Sequence, residues 1–141
     1  MKKGLAIFLG LFVIAGIFFG PDIIEAIKKN SQFNKTFSVY TSLLVSGDYA
    51  NAYKISCPEF QEKISYDSYV EIHSLLESNR GKLIDIEKGR QEVSGKGTPR
   101  NWTAVLNTNH IYVQDPCSFR YTFHLIEGKW KLFAMKQIET E

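Results

Sequence analysis

The chain has little cysteine, little proline and almost no net charge, and each shortage excludes something. Two cysteines and three histidines show no paired ligand spacing, so neither a metal nor another cofactor is expected. The formal charge of +2 is supplied by Lys2 and Lys3, which leaves 15 basic against 15 acidic side chains in residues 21–141 and nothing that would attract nucleic acid strongly. No catalytic constellation stands out, no β-α-β alternation suggests a nucleotide fold, and there is no internal repeat or low-complexity tract. Of 141 residues, about 120 remain once one hydrophobic segment is set aside, enough for one core and too few for a second domain. What the chain does have is aromatic side chains: Phe and Tyr make up 17 of its 19 Phe, Tyr and Trp rings, which favours a half-buried sheet over a disordered tail.

Gly4 through Gly20 carries no charged or hydrogen-bonding side chain. As a helix, that run spans roughly 25 Å, just enough for the apolar core of a bilayer. Lys2 and Lys3 precede it, while Pro21, Asp22 and Glu25 follow, so the charge bias keeps the N-terminus in the cytoplasm and exports the rest. A single-pass cell-membrane protein is expected, with residues 1–21 as the anchor and 22–141 as an extracytoplasmic domain. A cleaved signal peptide is the rival reading. Its best exit, at Ala15, lies inside the apolar run rather than after it, which favours a retained anchor. No cysteine ends the run, which argues against a lipoprotein-type anchor.

Beyond Pro21 the pattern becomes helical, and Phe33, Phe37, Tyr40 and Leu44 form one apolar stripe. Ser46, Gly47 and Asp48 break this helix, and Asp48 caps a short second one with Tyr49, Ala52 and Tyr53, ended by Cys57 and Pro58. Ser65 or Ser68 caps a third, whose buried stripe is Tyr69, Ile72 and Leu76 and which stops at Asn79, Arg80 and Gly81. From Lys82 the period shortens to two. Ile84 and Ile86 mark a strand, Gly89 to Arg100 reads as a loop or splayed hairpin end, and strands follow over Trp102–Val113, Cys117–Ile126 and Trp130–Ile138. The last two join through a tight turn at Gly128 and Lys129. Three helices followed by about four antiparallel strands is an α+β pattern.

The segments "LLVSGDYANAYKISCPEFQEKIS" and "RYTFHLIEGKWKLFAMKQIE", in this order of elements, resemble the nuclear transport factor 2-like superfamily over about residues 30 to 138. The resemblance implies a cone-shaped α+β domain in which a curved sheet wraps a long first helix and forms a pocket. Exported relatives with one N-terminal helix act as binding or accessory domains. Other relatives are isomerases and dehydratases that place Asp or His in the cone. Here the inward strand positions are almost all apolar or aromatic, so the resemblance speaks to fold more than to chemistry.

Tyr53, Tyr69, His73 and Tyr121 are the expected ligand-binding set, with His73 at the edge of its helix's apolar stripe and facing a pocket. His124 alternates away from Phe123 and Leu125 and is expected on the outer surface. In an oxidising compartment Cys57 and Cys117 invite a disulfide, worth ~4 kcal/mol for so long a loop. The leading expectation is a non-enzymatic, membrane-tethered domain of the cell envelope that meets a protein partner or a small apolar ligand through its curved sheet or pocket. The alternative is an isomerase- or dehydratase-like enzyme using His73 or a buried acid. A third reading is a spacer that forms a homodimer through its sheet.

Overall fold

The computed structural model describes the backbone of residues 2–139 and the side chains of residues 22–139. The side chains of the expected anchor lie outside the described residues, among which no helix is long and apolar enough to cross a membrane. Helix α1 runs Lys2–Val45, α2 Tyr49–Lys54, α3 Pro58–Lys63 and α4 Tyr66–Arg80, followed by strands β1 Leu83–Lys96, β2 Asn101–Tyr112, β3 Cys117–Ile126 and β4 Lys129–Ile138. The strands form one antiparallel meander in the order β1-β2-β3-β4.

Local chemistry sets most boundaries. The Asp48 side chain accepts the Asn51 N–H at 3.2 Å and opens α2, and Ser65 accepts the Ser68 N–H at 3.2 Å to open α4. Cys57 and Pro58 do more than end α2. Pro58 occupies the first turn of α3, where its missing N–H and fixed φ cost nothing, so four helices stand where three were expected. The tight turn between β3 and β4 falls at Glu127 and Gly128, one residue earlier than expected, and both have positive φ (49° and 76°), as a two-residue hairpin of this twist requires.

Of the segment from Gly89 to Arg100, expected as a loop or splayed hairpin end, residues 89–96 are the second half of β1, paired through to Lys96 with Asn101 of β2, and only 97–100 form the hairpin turn. Its charges made it read as loop, yet an edge strand carries charge readily. Gly95 lies under the Trp102 ring, where an added Cβ would come within 3.0 Å of ring carbons.

The stripe Phe33, Phe37, Tyr40 and Leu44 of α1 is fully or nearly fully buried against the inner face of the sheet. Phe33 meets Phe123 and Trp130 edge-on, each at 5.3 Å between ring centres, and Phe37 meets Phe123 at 6.0 Å. Polar contacts hold α1 along β1: Gln91 Nε2 donates to Asn30 at 2.7 Å, Lys88 Nζ to Asn34 at 3.0 Å, and Arg100 pairs with Asp22 at 3.0 Å. One irregularity lies in the β3–β4 ladder. Phe123 pairs with Leu132 and Thr122 with Ala134, so Phe133 is an extra residue, and its ring stacks on His124 at 4.0 Å on the outer face.

The expected disulfide is absent: Cys57 and Cys117 are both free and buried. Cys57 donates its backbone N–H to Leu132, which pairs with Phe123, whereas Cys117 begins β3. Six residues of strand separate those levels, about 20 Å, against the roughly 6 Å between Cα atoms that a disulfide spans.

Candidate functional site

Alternation along β2 sends Trp102, Ala104, Leu106, Thr108, His110 and Tyr112 inward, each of them buried. On β3 the inward set includes Phe119, Tyr121 and Phe123. These rings meet Tyr40 of α1 and Tyr69 and His73 of α4 in one aromatic and imidazole interior. Tyr40 and Tyr69 share a hydrogen bond between hydroxyls at 2.9 Å, and the Tyr121 hydroxyl pairs with His110 Nε2 at 3.0 Å. His73 stacks on Tyr49 at 5.2 Å and meets Tyr69 edge-on at 4.6 Å. His110 stacks on Tyr121 at 5.8 Å and touches Phe119 at 4.7 Å.

Of the four expected ligand-binding residues, Tyr69, His73 and Tyr121 come together in this interior, packed against neighbours and closed from solvent. Tyr53 is half-buried, and its hydroxyl donates to the Ile64 carbonyl at 2.7 Å. His73 is only 2% exposed, so it lies at the centre of its helix's buried face and not at its edge. Ile72 and Leu76, expected in that buried stripe, are only half-buried. Sequence reasoning missed His110 and Tyr112 as members of the cluster. The signal for them was available, since both share the inward parity of Trp102, Ala104 and Leu106.

The cluster's electrostatics follow from burial. Loss of water pushes the His73 pKa down to about 4. Burial, with His73 nearby as a smaller cause, pushes His110 down to about 3. Burial raises the Tyr40 and Tyr121 phenols well above their ordinary range. Both imidazoles are therefore neutral at pH 7, each able to donate one hydrogen bond and accept one. Three polar atoms here, His73 Nε2, His110 Nδ1 and the Tyr112 hydroxyl, have no partner among the described residues. The acid whose charge reaches this region is Glu77, which bears on Tyr49 and Tyr112 and whose Oε1 already accepts the Leu83 N–H at 3.1 Å. Such an interior can hydrogen-bond a small polar group. A neutral imidazole without a carboxylate to orient it makes a weak general base.

Beside this interior, between α4 and the β3–β4 face, lies an open groove of about 330 Å³. Its walls are Ile64, Ile72, Leu75, Leu76, Phe119 and Met135, with Asn79 and Gln137 as the polar residues. Leu75 is 54% exposed on this wall. Phe119 belongs to both features: one side of its ring faces the groove's lining and it touches His110 behind.

No protein-family model matches the chain, and no curated protein sequence does either. Among solved structures, the chain is similar to an NTF2-like protein with a cystatin-like fold from Novosphingobium aromaticivorans, with a TM-score of 0.53 and 12% identity over 83% of this chain and 85% of that one. The likeness concerns fold: four antiparallel strands with helices packed on one face, in the NTF2-like, cystatin-like arrangement.

Proposed function

We propose that this protein is a membrane-tethered, extracytoplasmic binding domain whose working surface is the apolar groove between α4 and the β3–β4 face. The observation that carries the reading is the contrast between the two candidate sites. The interior is filled by its own rings, whereas the groove is lined by six apolar side chains, all but Phe119 exposed or half-buried, at a volume near the lower end of small-ligand pockets. Groove chemistry suits a small apolar ligand or the apolar side chains of an envelope protein. The tether rests on the run from Gly4 to Gly20 and on the lysines before it.

Photocrosslinking in the native host tests the groove. A photoreactive amino acid at Leu75 or Met135 of the full chain should capture an occupant, while one at Asn107 on the outer sheet face should not. Equal capture from all three positions, or none from the groove, would end the groove reading. A reporter active only outside the cytoplasm, fused after Glu141, should be active, and silence there with an active cytoplasmic reporter would reverse the topology.

The isomerase- or dehydratase-like reading draws on one observation, the three unpartnered polar atoms of His73, His110 and Tyr112. It requires the interior to open. Exchange of the His73 and His110 ring signals with an added small carbonyl compound, followed by NMR, would favour it over the groove.

A further inference from the structure

A second concave feature lies at the other end of the sheet from the groove. It is a pocket of about 530 Å³ between α1, the end of α2 and the β3–β4 hairpin. Four lysines line it, Lys35, Lys54, Lys129 and Lys131, and no acidic side chain does. The ion pairs among the described residues belong to Arg80 and Arg100, so none of the four has a carboxylate partner there. Lys54 makes only a long bond to Asn51, at 3.4 Å. Four lysines on one hollow concentrate positive charge there, and an anion bound among them lowers that cost.

A separate observation concerns the pocket wall. Trp130 contributes to the wall but is only 3% exposed, and its indole N–H is buried beneath the surface and not turned to the opening. Gln32 and Thr36 add polar groups from α1. The combination of point-charge donors and neutral polar groups matches a phosphate carried on a small polyol, with the lysines on its oxygens.

Topology gives the pocket an orientation. Arg100, in the β1–β2 hairpin, pairs with Asp22, so that hairpin lies beside the start of the extramembrane part of α1. In a meander the β3–β4 hairpin falls at the same end of the sheet as the β1–β2 hairpin. The pocket therefore lies at the hairpin end of the sheet, its α1 residues Gln32, Lys35 and Thr36 standing about 18–24 Å along the helix from Gly20.

We infer that this pocket is a binding site for a phosphate-bearing group, supplied by a glycerophospholipid headgroup or by a free phosphorylated polyol. This goes beyond the groove reading and does not depend on it. The tether matters only for bringing a headgroup within reach.

The experiment uses the full chain throughout. In a neutral detergent, glycerol 3-phosphate is titrated calorimetrically. In nanodiscs of phosphatidylcholine with or without phosphatidylglycerol, native mass spectrometry reads which lipid stays bound after release. Lys54→Gln with Lys129→Gln should weaken whichever ligand binds by about tenfold or more. Lys28→Gln with Lys96→Gln, equal in charge and near the same end, should leave binding within about twofold. Retention of phosphatidylglycerol without glycerol 3-phosphate binding identifies the lipid source, and glycerol 3-phosphate binding identifies the free one. Binding of neither, or equal weakening in both double variants, overturns the site. The exchange of Lys54 and Lys129 for arginine keeps the charge and should keep binding, which separates loss of the site from loss of the fold.

Discussion

The Tyr40 and Tyr69 hydroxyls meet at 2.9 Å in the buried interior, 29 residues apart in sequence, and tie α1 to α4 through one hydrogen bond. Tyr40→Phe or Tyr69→Phe alone strands the other hydroxyl and should cost about 1–3 kcal/mol. The double variant leaves two rings and no stranded pair, so it should cost less than the sum of the singles. Chemical denaturation of the full chain in detergent gives the three values. Strict additivity would mean that the bond carries no coupling.

Trp130 and His73 are both buried to within a few per cent, one edge-on to Phe33 and the other between Tyr49 and Tyr69. Trp130→Ala should destabilise by about 3–5 kcal/mol. A histidine at the stripe's edge would be replaceable at no cost, but at its buried centre His73→Ala opens a cavity and should lower thermal stability measurably as well. An unchanged melting temperature for His73→Ala would place that ring outside the core.

Stability should fall as the solution is acidified through pH 6.5 towards 4. His73 and His110 have folded pKa values of about 4 and about 3, below the unfolded value of about 6.5, so the unfolded chain binds more protons in this window. Each contributes stability that is complete above pH 6.5 and drains at up to about 1.4 kcal/mol per pH unit below it. Burial lowers His124 too, with Glu59 opposing, and it adds a smaller part. Asp48 and Glu59, held low by hydrogen bonds, act only at more acid pH. Denaturation midpoints at pH 7, 6 and 5 give the slope, and His110→Asn should reduce it. A flat profile over that range would mean that neither imidazole is buried.

Both thiols are buried, and burial raises the pKa of each. Alkylation of the native protein should be slow, and alkylation in denaturant without reductant should add two groups. A mass gain of none under those conditions would restore the disulfide.

Much of the fold was legible where one face is apolar and the other wet. The α1 stripe, the Asp48 and Ser65 caps and the alternation of β2 and β3 followed from period and capping chemistry. In β4 the expected face of Trp130, Leu132 and Ala134 holds only to Leu132, because the extra residue Phe133 sets Ala134 opposite Thr122 on the outer face. The second half of β1 was not legible because glycines and charges leave Val93 as its one apolar side chain, and because Gln91 bonds Asn30 and Asn34 of α1, a partnership invisible along the chain. Helix α3 was hidden by reading Pro58 as a stop when it is a start. The groove could not be read at all. Its walls come from α3–α4, β3 and β4, and only the fold brings Leu75 to the same hollow as Met135.

The extra residue in β4 gives that hollow a dependence on counting as well as on composition. Ahead of Phe133, Trp130 and Leu132 face inward; after it, Met135 and Gln137 do, opposite Tyr121 and Phe119. Were the ladder to close up with every residue kept, Lys136 would come opposite Phe119 and Met135 would turn outward, making an apolar wall cationic without any substitution. Removal of Phe133 itself would instead leave every other side chain on its present face. Loss of one residue at the bulge therefore keeps the lining, whereas closing the bulge at full length inverts it.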